Sequence, residues 1–236
     1  MEDLGALSAF RHEHKYIETD LELTALSRRL GAFLEKDRHI TQKGYYLIRS
    51  LYFDDYHDVC LNENIDGVDE RHKWRIRIYD RKSDYISLER KSRKSDLISK
   101  QSCAIGPEQF QSLLAKNAEV SSGNPALLNR FIIEMRTKAL HPAVIVEYER
   151  EPFVHKAGNV RITIDRNMRS SPELDALLAD RPLSSRPFMK TGENLLEVKF
   201  DAFLPDHIAH AVETGRMRRE TFSKYYLARK FPYHGL

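Results

Sequence analysis

The chain has 236 residues, 41% hydrophobic and 31% charged, a balance that excludes intrinsic disorder and leaves enough apolar content for a sizeable core. Lys and Arg total 38 against 35 Asp and Glu, a net charge of +3, which excludes a generic nucleic-acid coat and makes any polyanion site a matter of local arrangement. No run of about 18 apolar residues and no basic-then-apolar leader occurs, and Cys60 and Cys103 show neither metal nor disulfide spacing, so a soluble, cytoplasmic single domain over 1–236 is expected.

In chain order, the pattern predicts a strand over 9–17, then a helix over 20–36 opened by the capping box Thr19-x-x-Glu22. A strand over 45–54 follows, and Asp54 and Asp55 are expected to cap whatever helix comes next. Strands are predicted over 71–81, 84–93 and 97–105, then a helix over 107–116 with Pro107 in its first turn. The Ser/Gly/Asn-rich stretch 116–124 reads as a linker before a helix over 125–140. Strands over 143–154 and 159–165, a Pro-containing linker over 170–192 and a strand over 194–201 come next. Helices over 206–214 and 219–230 end the chain, the second anchored by Phe222, Tyr225, Tyr226 and Phe231. Antiparallel strands with interleaved helices make the fold class α+β.

The segment Arg71–Asp80 reads R-H-K-W-R-I-R-I-Y-D, which puts Arg71, Lys73, Arg75 and Arg77 on one strand face and His72, Trp74, Ile76 and Ile78 on the other. Neighbouring cations on that face stand about 6 to 7 Å apart and repel by about 2 to 3 kcal/mol per pair at an effective dielectric near 20. Something anionic must face them, and the next strand offers Glu89 but adds Lys91 and Arg93. The same alternation pairs Arg11, Glu13 and Lys15; Tyr148 and Arg150; Arg161, Thr163 and Asp165; and Glu197 with Lys199. A wet outer face would carry mixed charge too, but six strands repeating Arg or Lys at one parity favour a polyanion-binding interior. Such an interior suits phosphoryl transfer, in which positioning and charge neutralisation do most of the work and Glu or Asp holds a hard divalent ion. His12 and His14 fall on the opposite face of their strand and are expected on the outside, packed on a helix.

The ordered motifs R-H-E-H-K-Y (11–16), S-L-Y-F-D-D (50–55), R-I-R (75–77), L-E-R-K (88–91), V-E-Y-E-R (146–150), V-R-I-T-I-D (160–165), L-E-V-K-F (196–200) and F-S-K-Y (222–225) resemble the VTC domain, the polyphosphate polymerase branch of the triphosphate tunnel metalloenzymes. The resemblance spans about residues 10 to 230. It implies an antiparallel β-barrel tunnel with helices packed outside, in which the γ-phosphate of ATP passes to a growing polyphosphate chain with Mn²⁺, or Mg²⁺, as cofactor. Carried over motif by motif, Lys15, Arg75, Arg77, Lys91, Arg150, Arg161 and Lys224 would act on the phosphates catalytically. Lys100, Tyr148, Lys199, Ser223 and Glu13 would bind substrate, and Glu197 would hold the metal. Hydrolases of the same fold carry E-x-E-x-K near the N-terminus; here the first position is Arg11, which weakens a hydrolase reading. An inorganic or nucleoside triphosphatase and a catalytically silent polyphosphate-binding domain are the alternatives. The expected partners are ATP, triphosphate or polyphosphate, with no nucleic acid and no membrane segment.

Overall fold

The computed structural model describes residues 11–37, 39–95, 97–213 and 218–230. Its strands are β1 (His12–Thr19), β2 (Glu35–Lys36), β3 (Tyr46–Asp54), β4 (Arg71–Tyr79), β5 (Lys82–Lys94), β6 (Leu97–Ile105), β7 (His141–His155), β8 (Val160–Ser171), β9 (Arg186–Pro187) and β10 (Glu193–Phe200). Its helices are α1 (Asp20–Gly31), α2 (Val59–Ile65), α3 (Pro107–Leu114), α4 (Ala126–Thr137), α5 (Asp206–Val212) and α6 (Lys224–Lys230). All ten strands share one antiparallel sheet, with eight in the order β1-β10-β8-β7-β3-β4-β5-β6. The sheet curls until its outer strands meet. Arg11 N donates to Ile98 O at 3.1 Å, and Ile98 N donates to Arg11 O at 3.3 Å. Closure satisfies edge groups at that seam and separates alternating side chains into an inside and an outside. The α+β antiparallel tunnel expected from the sequence is therefore the observed fold.

The outer face is covered by two helical coats. Trp74, Ile76 and Ile78 of β4, with Ile86 and Leu88 of β5, bury against Phe110 and Leu113 of α3 and Leu128, Phe131 and Ile132 of α4. Leu23, Leu26 and Leu30 recur at helical spacing along α1 and cover Ile162, Ile164, Leu196 and Val198 together with Ile208 and Val212 of α5. A third cluster lies inside. Val144, Val146, Tyr148 and Leu195 pack against Phe222, Tyr225 and Ala228, so α6 fills part of the barrel interior.

Several boundaries differ from the sequence reading. The helix predicted over 20–36 stops at Gly31, because Glu35 and Lys36 pair with Val154 and Phe153 of β7 instead. The strand predicted over 159–165 runs on to Ser171; a register shift between Glu147 and Glu149 absorbs its bend, with Asn167 at φ 54°. The stretch 170–192 is not a bare linker. The buried guanidinium of Arg49, paired with Glu147 at 2.6 Å, donates to the carbonyls of Ala179 and Arg181 at 2.6 and 2.7 Å, while Leu177 and Leu183 are buried. The last helix starts at Lys224 rather than 219, so Ser223 precedes it instead of lying within it. His12 and His14 pack on the Phe200 ring, 5.1 Å away in each case, rather than on a helix, and His12 also borders the cavity instead of lying wholly outside it. Residues 9 and 10 of the first predicted strand, residue 214 and Phe231 lie outside the described residues.

The sequence pattern predicts no helix over 59–65, yet the capping expected of Asp54 and Asp55 is observed at the start of α2. Asp54, fully buried, accepts the N–H groups of Asp55, Cys60 and Leu61 at 2.9, 2.8 and 3.1 Å, and Asp55 accepts those of His57 and Val59. Tyr225 OH also donates to Asp54, so one carboxylate ties α2 to α6. Asp54→Ala would leave the buried Tyr225 hydroxyl and three part-buried N–H groups without this acceptor, and a loss of about 3 kcal/mol is expected. Urea unfolding checks this: an unchanged midpoint would show that the two helices hold together without Asp54.

Candidate active site

The barrel encloses a cavity of about 580 Å³. Among the described residues, fourteen Lys and Arg side chains line it against three carboxylates, Glu13, Glu197 and Glu220. Lys15, Arg75, Arg77, Lys91, Lys100, Tyr148, Arg150, Arg161, Lys199, Ser223, Lys224, Glu13 and Glu197, singled out from separate stretches of sequence, all line this one cavity. Lys94, near the end of β5, stays outside it as an exposed partner of Glu70.

Pairing stacks like charges side by side. Arg71 stands opposite Arg93, and Lys73, Lys91 and Lys100 form a row across β4, β5 and β6. Such pairs are unfavourable, and four acids offset them in part. Glu89, 1% exposed, is bound by Arg75 at 2.6 Å and lies 3.5 Å from Lys100 and 4.0 Å from Arg77. Asp165, fully buried, takes a two-pronged contact from Arg150 at 2.7 Å on each oxygen and a 2.7 Å contact from Lys224. Glu13 meets Lys15 at 2.7 Å, Lys91 at 2.9 Å and Lys199 at 3.6 Å, and Glu197 is paired with Lys199 and lies 3.9 Å from Arg150. Phenols add neutral partners: Arg75 donates to Tyr52 OH at 3.2 Å, Arg77 to Tyr148 OH at 3.3 Å and Arg161 to Tyr46 OH at 3.0 Å.

The segment before α6 completes the wall. Glu220 N donates to Lys15 O at 2.9 Å, Lys15 Nζ donates to Phe222 O at 3.0 Å, and Lys73 Nζ reaches Asn64 Oδ1 at 2.9 Å and Ser223 Oγ at 3.1 Å. Lys224 lies 4.7 Å from the centre of the Tyr148 ring. Sequence reading passed over Tyr46 and Tyr52 as site residues although they share the inward parity of their strand. Alternation places Asp165 on the inward face, but its counter-ion role could not be read there, since its partners Arg150 and Lys224 come from β7 and α6.

Burial opposes every one of these charges, and the neighbours decide the outcome. Burial would raise the carboxyls of Glu13 and Glu197, but the surrounding lysines hold both below the ordinary carboxylate range, joined for Glu197 by Arg150. Burial works against the Lys15 ammonium too, and Glu13 and Glu197 overcome it and raise the amine. Lys91 and Lys73 lack that margin: burial, reinforced by neighbouring cations, brings Lys91 down to about 7 and Lys73 to about 8.

For a hard divalent ion the donor set fits. Glu13 and Glu197 project inward from the adjacent strands β1 and β10, and Thr163, opposite Glu197 on β8, buries a hydroxyl oxygen with no hydrogen-bond partner among the described residues. No three His, Cys, Asp or Glu side chains form a ready-made cage among those residues. One or two carboxylates with the remaining positions left to phosphate oxygens and water is the usual arrangement for Mg²⁺.

An anion in the cavity would return charge to Lys91, raising its pKa from about 7 toward the ordinary lysine value. Between those values binding takes up a proton, so affinity should fall as pH rises above about 7. Calorimetric titration of tripolyphosphate at pH 8, in buffers of different ionisation heat, should show greater proton uptake by the wild type than by Lys91→Met. Equal uptake would mean that Lys91 is already charged in the empty cavity.

Comparison with known proteins bears on the fold and the family. A protein from Hippeastrum, assigned as an adenylyl cyclase and described as having a dominant triphosphatase activity, superposes with a TM-score of 0.54 at 14% identity, covering 93% of this chain and 95% of its own. An adenylate cyclase assignment attaches to a Bacillus halodurans protein with a TM-score of 0.49 at 14% identity over 85% of this chain and 84% of that one. A Pyrococcus horikoshii protein gives a TM-score of 0.47 at 15% identity, covering 93% and 98%. No curated protein sequence matches. The profile of the VTC domain matches residues 10–233, nearly the whole length, and the chain therefore belongs to the VTC domain family.

Proposed function

We propose that this protein is a metal-dependent polyphosphate polymerase that transfers the γ-phosphate of ATP to the end of a polyphosphate chain held in the tunnel. The supporting observation is the extent of the cationic track. From Arg71 to Arg77 alone, β4 advances six residues, about 20 Å at the usual strand rise. Arg150, Arg161 and Lys224 continue the cationic lining. That reach exceeds a triphosphate and suits an extended polyanion.

In the transfer, a terminal oxyanion of the chain attacks the γ-phosphorus, the bond from that phosphorus to the β,γ-bridging oxygen breaks, and ADP leaves with the electron pair. Charge builds on the bridging and equatorial oxygens, where Arg75, Arg77, Arg150 and Lys224 offer fixed donors. Tyr148 and Ser223 add neutral hydrogen bonds, while Lys15, Lys91, Lys100, Arg161 and Lys199 keep the two anionic reactants side by side. A divalent ion held by Glu197 with Glu13, Mn²⁺ or Mg²⁺, would supply further charge neutralisation between phosphate oxygens. The attacking group is already an anion, so no base is needed.

Hydrolysis of a triphosphate is the second reading, favoured by the triphosphatase activity described for the Hippeastrum protein of similar fold. Against it, Arg11 stands where hydrolases of this fold carry a carboxylate, and here it pairs with Asp201 at 2.7 Å.

Incubation with ATP and Mn²⁺, with products resolved by ³¹P NMR and gel, should yield chains longer than three phosphates, and Glu197→Gln should abolish them. Free phosphate without chain growth would establish a hydrolase. The length of the track also has its own test: Arg71→Ala with Arg93→Ala should weaken long-chain polyphosphate about tenfold or more and leave tripolyphosphate within about twofold. Equal weakening of both ligands would contradict an extended track.

A further inference from the structure

The two ends of the cationic track differ in chemistry. At one end β4 begins with Arg71, facing Arg93 across the β4–β5 pair. At the other, the inward alternation of β3, β4 and β5 ends on tyrosines. Tyr46 and Tyr79 line the cavity, with ring centres 5.8 Å apart and planes inclined at 65°. Tyr79 in turn lies 6.4 Å from Tyr85, tilted by 31°. Exposure rises along this series from 5% at Tyr46 to 51% at Tyr85, so three rings lead from the phosphate-binding interior to solvent. The innermost is tied to the cationic wall, since Tyr46 OH accepts from Arg161.

The backbone that carries these rings is held rigidly. Asp80 and Arg81, the two residues joining β4 to β5, adopt φ of 50° and 58°, a tight-turn conformation that non-glycine residues rarely take. Neighbouring strands hold it: Asp80 Oδ1 accepts Leu47 N at 2.8 Å, Asp80 N donates to Leu47 O at 2.9 Å, and Arg81 reaches Glu147 at 3.0 Å. Tyr79 is thereby fixed two residues, about 7 Å, beyond Arg77.

We propose that Tyr79 and Tyr85 form a nucleobase-stacking subsite at the mouth of the tunnel, which orients a nucleoside triphosphate with its base on the rings and its phosphates pointing inward toward Arg77. The inference rests on the phosphotransferase reading above and adds a place for the part of the donor that polyphosphate lacks. A phosphate chain has no flat apolar face to offer the rings, whereas every purine does, and stacking on an aromatic side chain tolerates any base. The subsite would therefore separate donor from product: the nucleotide gains contacts at the tyrosine end that the growing chain cannot make. Preference among bases should be weak.

The test titrates the full chain with β,γ-imido-ATP and, separately, with tripolyphosphate, both with Mn²⁺. Tyr79→Ala and Tyr85→Ala should each weaken imido-ATP about tenfold, equivalent to about 1.4 kcal/mol, and leave tripolyphosphate within about twofold. Tyr79→Phe and Tyr85→Phe keep the ring face and should match the wild type for both ligands. Unchanged tripolyphosphate binding also certifies that each alanine variant is folded. Equal weakening of both ligands, or of neither, would overturn the subsite. Failure of the wild type to bind either ligand would overturn the phosphotransferase reading itself, and the subsite with it.

Discussion

Repulsion between cations enclosed in a barrel is the constraint on which the rest of this structure depends. Lys73, Lys91 and Lys100 stand side by side across three strands, and Arg71 faces Arg93. Four buried carboxylates, Glu13, Glu89, Asp165 and Glu197, share their oxygens among many more cations than they can neutralise. The imbalance is visible at Lys91, where burial brings the amine down to about 7. A protein that needed only stability would have no use for such an interior, since buried charge is costly even when paired. A polyanion within reach of these groups would supply the missing counter-charge.

The outer coats make that interior tolerable. Apolar residues of opposite parity on the same strands bury under α1, α3, α4 and α5, so the strands that present Arg75 and Arg77 inward also present Trp74, Ile76 and Ile78 outward. Each strand thus contributes a core face and a site face. α6 is the exception to this division: Tyr225 and Ala228 fill part of the interior, and the turn before the helix delivers Ser223 and Lys224 to the cavity wall. Its position is set by Asp54, which holds both Tyr225 and the start of α2.

Much of this was legible in the sequence, for a physical reason. Alternation along a strand is local, so Arg75, Arg77, Lys91 and Arg150 could be assigned to one face without knowing the fold. Order of motifs then placed Lys224 and Glu197 in the same site. Contacts that depend on strands meeting far along the chain were not legible. Asp165 falls on the inward face by alternation, yet its partners Arg150 and Lys224 lie in other segments, and nothing in its own segment marks Arg49 as the buried anchor of the 177–181 loop. Boundaries failed where pairing overrode local preference, as at Glu35 and Lys36, which β7 draws out of the predicted helix. The replacement of a hydrolase carboxylate by Arg11 was legible, but its pairing with Asp201 and its place at the barrel seam were not.

The most direct measurement is the equilibrium titration of the full chain with tripolyphosphate over a series of salt concentrations, alongside thermal unfolding with and without the ligand. A tunnel whose cations are only partly neutralised requires saturable one-to-one binding that weakens steeply with salt, together with a rise in the unfolding midpoint that sulfate at matched ionic strength does not reproduce. No saturable binding, or an equal midpoint shift from sulfate, would contradict a polyanion site inside the barrel.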